Sequence, residues 1–192
     1  MSDLNRWDKL RDWWNLLLNH EARHLAGGGD PFIHGATEHT NVTRDKYIRI
    51  SSVGGAWGSV GYFETRDLPN GADTDTFFNF KIPSDFVSLV NLRVLCFAAL
   101  GVGDIVWDMR VSYCAEGEAW NIHVDTDLTN VQTVPGVAQS LFSCIGDATI
   151  LQNANIGDLV GLDFRRVGLN LSDTLAGNLN VAGALLTYVA EQ

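Results

Sequence analysis

Long apolar runs are missing. No stretch reaches the roughly 18 residues a bilayer-spanning helix needs, so no membrane partner is expected. Cysteine is scarce. Cys96, Cys114 and Cys144 are an odd number without close spacing. That argues against a disulfide framework and against a cysteine-rich zinc site. Cys96 lies in Val94-Leu95-Cys96-Phe97-Ala98, so buried reduced thiols acting as small hydrophobes are expected. Positive charge is in the minority, with 13 basic against 23 acidic residues and a net charge of -10. Such a surface repels nucleic acid. The acidic residues are scattered, so there is no acidic tail. There is no G-x-S-x-G, no phosphate loop and no dinucleotide fingerprint. Met1-Ser2-Asp3-Leu4-Asn5-Arg6 lacks a basic region followed by an apolar core, so no signal peptide is read and assembly in a cytoplasm is expected.

What is present is a chain able to bury a core. Hydrophobic residues make up 46% and charged residues 19% of 192. One domain with an appendage is the natural division at this length.

The appendage comes first. Ser2 or Asp3 can cap a helix starting near Leu4. Leu4, Trp7, Leu10, Trp14 and Leu17 follow at spacings of three and four, as on one face of an amphipathic helix. Trp13, Leu16 and Leu18 widen that face. A helix this short is marginal alone in water, so its tryptophans must dock. The glycines that follow separate it from the rest of the chain and favour docking on other chains. Leu4, Trp7, Leu10, Trp13, Trp14 and Leu17 are therefore the expected partner-binding residues.

The junction His20-Glu21-Ala22-Arg23-His24-Leu25-Ala26-Gly27-Gly28-Gly29-Asp30-Pro31 carries the one catalytic signature. His20-Glu21-Ala22-Arg23-His24 matches H-E-x-x-H, which on a helix places two histidines for zinc and Glu21 as general base. A zincin helix needs folded walls on both sides of its cleft, and only 19 residues precede His20. The geometric reading is stronger. Gly27 and Gly28 permit positive φ, Asp30 accepts bonds from neighbouring N–H groups, and Pro31 stops a helix. His20, His24, Gly27, Gly28 and Asp30 are expected to form a connector, with no metal and no cofactor.

The run His20-x-x-x-His24-x-x-Gly27-Gly28-x-Asp30-Pro31 resembles a short motif of virion proteins in tailed bacteriophages and related viruses, found in fibre and decoration-type proteins. Gly29 departs from it, where serine or alanine is more usual. The resemblance implies a connector near an attachment or trimer axis, and no activity.

From Asn41 the period changes to two. Lys46-Tyr47-Ile48-Arg49-Ile50 alternates as a half-buried strand does. Val60-Gly61-Tyr62-Phe63-Glu64 reads as a second strand, and Pro69-Asn70-Gly71 as a turn. Thr76-Phe77-Phe78-Asn79-Phe80-Lys81-Ile82 is a strand with Phe78, Phe80 and Ile82 on one face. Residues 89–100 read as a buried strand, with 105–114 as its hairpin partner. Residues 126–136 read as a polar surface loop, and 170–178 as another. Strands are also expected over 140–145, 159–166 and 181–189. Eight to ten strands with turn signals between them suggest a sandwich.

Acid pairs can be drawn at Asp104 with Asp108 and at Asp125 with Asp127. Trp107 and Trp120 are candidate sugar-stacking aromatics for a glycosidase. Aspartates at turns are ordinary, however, and no catalysis is expected. Asp125-x-Asp127, Asp73 and Asp75 are weak oxygen-ligand pairs for loop calcium. His123 reads as an ordinary histidine.

The expected fold is all-β, a jelly-roll-like β-sandwich with an N-terminal amphipathic helical arm. Residues 1–40 form the arm and connector, and 41–192 the sandwich. The expected function is that of a non-enzymatic virion structural protein, such as a capsid decoration protein, assembled in a host cytoplasm. Its expected partners are copies of itself, a trimer being favoured, and a major capsid or tail protein. The alternatives are a receptor- or glycan-binding fibre head using the loops 126–136 or 170–178, and a filament-forming surface subunit.

Overall fold

The computed structural model describes residues 41–51 and 55–191. The expected helix with Leu4, Trp7, Leu10, Trp13, Trp14 and Leu17 lies outside the described residues, as do His20, His24, Gly27, Gly28 and Asp30. Ten strands run through the described residues. They are β1 Val42–Ile48, β2 Ala56–Val60, β3 Phe63–Leu68, β4 Asp73–Lys81, β5 Phe86–Ala98, β6 Asp104–Cys114, β7 His123–Thr133, β8 Leu141–Ile145, β9 Leu159–Val167 and β10 Leu179–Ala190. They form a two-sheet antiparallel sandwich, all-β as the alternation predicts. A six-stranded sheet has the order β2-β3-β10-β5-β8, with β1 also on β10. A four-stranded sheet has the order β4-β9-β6-β7.

Period-two patterning explains the core. On β4, Thr76, Phe78 and Phe80 are buried while Phe77, Asn79 and Lys81 face out. On β9, Val160, Leu162, Phe164 and Arg166 point inward. The first three meet Leu92, Val94 and Cys96 of β5 and Leu179, Val181, Ala184 and Leu186 of β10 in one cluster.

β10 is shared along one flank. Its start, Leu179–Val181, pairs with Leu68, Asp67 and Arg66 of β3. Its remainder, Ala184–Ala190, pairs with the whole of β1. The register on β5 shifts between Val181 and Gly183. Gly183 makes room there, since a Cβ would lie 2.6 Å from the Tyr47 ring carbons and displace the ring. Tyr47 uses the space to donate its hydroxyl to the Ala182 carbonyl at 2.7 Å.

At one end of the sandwich, a fully buried Arg166 pins the 170–178 loop. Nε and Nη2 donate to the two carboxylate oxygens of Asp173, at 3.0 and 2.6 Å. Nη1 donates to the carbonyls of Leu68 and Gly177, and Nη2 also to that of Leu175. All five guanidinium N–H groups are thereby used. Asp173 also accepts from the Val106 amide of β6. One side chain so joins the end of β3, the loop and, through Asp173, β6.

Three sequence expectations are corrected. The segment 105–114 is not the hairpin partner of 89–100. β6 pairs with β7 and β9 in the opposite sheet, and β5 pairs with β10 and β8. The 101–104 turn carries the chain between sheets. Gly103 sits there at φ 122°, with the Leu175 backbone 2.8 Å from where a Cβ would be. The 126–136 segment is not a loop, because residues as far as Thr133 belong to β7. Its polar side chains misled because β7 is an edge strand exposed along much of its length. Finally, residues 60–64 are not one strand, since the chain turns at Gly61-Tyr62 between β2 and β3.

Candidate ligand groove

The outer face of the four-stranded sheet is laid out in rows by strand register. The first row is Asn79, Gly161, Ser112 and Val124, one residue from each strand. The second is Phe77, Asp163, Arg110 and Thr126. The third is Asp75, Arg165 and Asp108. Gly161 leaves the first row without a side chain at its centre. A groove of about 300 Å³ opens over it, lined by Phe77, Asn79, Ser112, Trp120, Val124 and Asp163 among others. That volume sits at the small end of ligand sites, which run from about 300 to 1,000 Å³.

The groove's walls are apolar and its floor is polar. Trp120 reaches in from the β6–β7 loop with 72% of its surface exposed, beside exposed Val124 and Phe77. That loop is closed on itself, because the Glu118 carboxylate accepts from the Ala115 amide at 2.9 Å. Ser112 Oγ and Asn79 Oδ1 lie 3.5 and 3.7 Å from the point a Gly161 Cβ would occupy. Asn79 is oriented by its amide donating to Ser51 Oγ.

The second and third rows carry charge. Arg165 pairs with Asp73 at 2.5 Å and approaches Asp75 at 3.7 Å. Arg110 lies 3.6 Å from Asp108. Among the described residues Asp163 has no direct ion pair of this kind, and its buried Oδ1 has no hydrogen-bond partner. Burial, with the neighbouring charge of Asp75, pushes its carboxyl up to about 6, and Arg110 and Arg165 only partly oppose this.

Three of the four aspartates nominated from sequence hold backbone amides, one in β7 and two in the 147–151 segment. Asp108 accepts from the Thr129 amide, Asp125 from that of Leu151, and Asp127 from that of Asp147. Asp104 and Asp108 lie four residues apart on one strand, about 13 Å along it at ordinary strand rise. That exceeds the separation a glycosidase pair needs. Asp73 and Asp75 are on β4 against Arg165 rather than in a loop. Among the described residues no group of three His, Cys, Asp or Glu side chains is placed to hold a metal ion. Trp107, nominated with Trp120 as a sugar platform, is buried against Phe164 with ring centroids 5.7 Å apart. His123 stacks on Tyr113 at 5.0 Å. Cys96 and Cys144 are buried free thiols, while Cys114 is half-buried. Burial beside Cys96 pushes the Cys144 thiol well up.

Phe77, Arg110, Gly161 and Asp163 were not singled out from sequence as site residues. The available signal was Gly161, which interrupts a strand of larger residues where a ligand can approach the backbone.

No family model matches the chain, and no curated protein matches it. Six solved chains do. One is a xylan-binding module, CBM15, at 13% identity and a TM-score of 0.40, with 79% of this chain and 99% of the module covered.

Proposed function

We propose that the chain is a non-enzymatic glycan-binding protein, and that the groove over Gly161 is its binding site. We further infer that the sandwich is a jelly roll. Strands β3-β10-β5-β8 facing β4-β9-β6-β7 have the order produced by two interlocked Greek keys. The observation that carries the binding reading is the combination at the groove: an exposed indole, an exposed phenyl and a polar floor, around a strand position with no side chain. Sugars present an apolar ring face and a rim of hydroxyls, and these surfaces match both. The site is a sheet face walled by Trp120 of the β6–β7 loop, not the 126–136 or 170–178 segments expected of a fibre head.

The virion setting is part of the proposal and comes from the His20 to Pro31 motif. In it, the arm with Trp7 and Trp14 joins copies of the chain and the sandwich faces the host surface.

An oligosaccharide array followed by calorimetry on the full chain tests the binding reading. Saturable binding that Trp120→Ala and Gly161→Ala each weaken supports it. Unchanged binding in both variants removes the groove as the site.

A second reading, a capsid decoration protein, is favoured by the outer face of the six-stranded sheet. Phe63, Leu141 and Ile145 are each more than half exposed there, with Phe63 packed on Phe97 at 5.5 Å. Sedimentation of Leu141→Asp/Ile145→Asp against Trp7→Ala/Trp14→Ala would show which surface, if either, holds an oligomer together.

A further inference from the structure

We propose that this groove, on the footing that it is the glycan site, selects neutral sugars, with the Asp163 carboxylate accepting from ligand hydroxyls and acidic sugars turned away. The charge inventory argues it. Four carboxylates, Asp73, Asp75, Asp108 and Asp163, stand on this face against three cations, Arg110, Arg165 and, at the end of β4, Lys81. Both guanidinium groups stand among carboxylates, and Arg110 also lines the groove. Arg165 is held between Asp73 and Asp75, and Arg110 lies beside Asp108 and opposite Asp163 in register. A ligand carboxylate or sulfate would meet an excess of negative charge on this face, within a chain whose net charge is already -10. Like-charge juxtaposition is an effective discriminator.

A hydroxyl-rich ligand fits the same inventory. Asp163 is half-buried and lines the groove two residues along β9 from the Gly161 floor. Among the described residues its carboxylate is under-supplied with donors, its buried oxygen having none. Sugar hydroxyls donating to the exposed side of that carboxylate would stabilise its charge. Ser112 and Asn79 beside the floor offer a hydroxyl and an amide to the same ring. Trp120 and Phe77 cover its apolar face.

The test is titration of the full chain, at pH 7.5 or about that value, with short neutral hexose and pentose oligosaccharides and with uronate-containing and sulfated ones of matched length. Neutral ligands are expected to bind with an affinity nearly independent of salt. Asp163→Asn is expected to weaken them about tenfold or more, the cost of one hydrogen bond to a charged group. Thermal unfolding of that variant checks that it folds, and the salt dependence of the wild type provides a readout that needs no variant. Acidic sugars binding as tightly as neutral ones, or a steep loss of affinity with salt, would overturn the selectivity while leaving the groove a glycan site. Binding of no sugar of either kind would remove both the selectivity and the glycan reading beneath it.

Discussion

Replacing Arg166 by methionine should be among the most damaging single changes in the sandwich. The side chain is fully buried, and its five N–H donors end on Asp173 and on three backbone carbonyls. Methionine fills much of the space but strands the Asp173 carboxylate in the interior. Removing one partner of a buried pair typically costs about 3–5 kcal/mol. The orphaned carbonyls of Leu68, Leu175 and Gly177 push the value toward the upper end. A loss of about 4 kcal/mol is expected, a large share of a stability of roughly 5–15 kcal/mol. For a domain of this size that lowers Tm by about 8–16 °C. Asp173→Asn should cost somewhat less, since it keeps one acceptor for the guanidinium. The double variant should lose clearly less than the sum, because the two groups share one interaction. Urea titration followed by tryptophan fluorescence gives all three values, with the m-value expected to hold. A loss below about 1 kcal/mol for Arg166→Met, or strict additivity, would refute the reasoning.

Gly161→Ala should fold normally, since its methyl meets nothing closer than 3.5 Å. It should leave Tm nearly unchanged yet weaken ligand binding by filling the groove floor, as calorimetry beside a melting curve would show. Trp120→Ala, at an exposed position, should cost more than about 1 kcal/mol of binding energy and almost none of folding. Gly103→Ala should destabilise by about 2 kcal/mol or more, because a side chain at that positive φ collides with the Leu175 backbone; chemical denaturation would measure it. Asp163 makes a pH-dependent contribution. Its folded carboxyl is at about 6 against an ordinary 3.8, so between those values the native state holds more proton than the unfolded chain. Its contribution to stability therefore falls as pH rises through that window, under the charges of Asp75, Arg110, Arg165 and Asp108. Asp163→Asn should remove that slope, and melting curves from pH 4 to 7 would show the two proteins diverging in the wild type's disfavour.

Strands that bury one face declared themselves in the sequence. Phe78, Phe80 and Ile82, or Val160, Leu162 and Phe164, alternate cleanly because the opposite face meets water. β7 did not, since His123 to Thr133 is an edge strand. Its Asp125 and Asp127 hold the 147–151 segment by their carboxylates rather than filling the core. Polarity there looked like a loop. Adjacency was also hidden. Sequence neighbours such as β5 and β6 part into opposite sheets, and no local pattern records which way a turn sends the chain. The groove was legible only as Trp120. Its floor joins β4 and β9 to the consecutive strands β6 and β7, and its central feature is a missing side chain. Trp107 illustrates the converse, an indole that looked available but closes the core.

The pairing of β1 along the end of β10 gives this domain a mechanical polarity. Seven residue pairs, from Val42 with Ala190 to Ile48 with Ala184, tie the first strand to the last, and Arg44 is fastened to Asp85 at 2.6 Å. Antiparallel hydrogen bonds lie across the strands. Tension applied to the leading segment along the axis of β1 therefore loads the whole ladder at once, in shear. The same tension applied sideways would open it one rung at a time, so the direction of attachment sets how hard the sandwich resists being pulled apart.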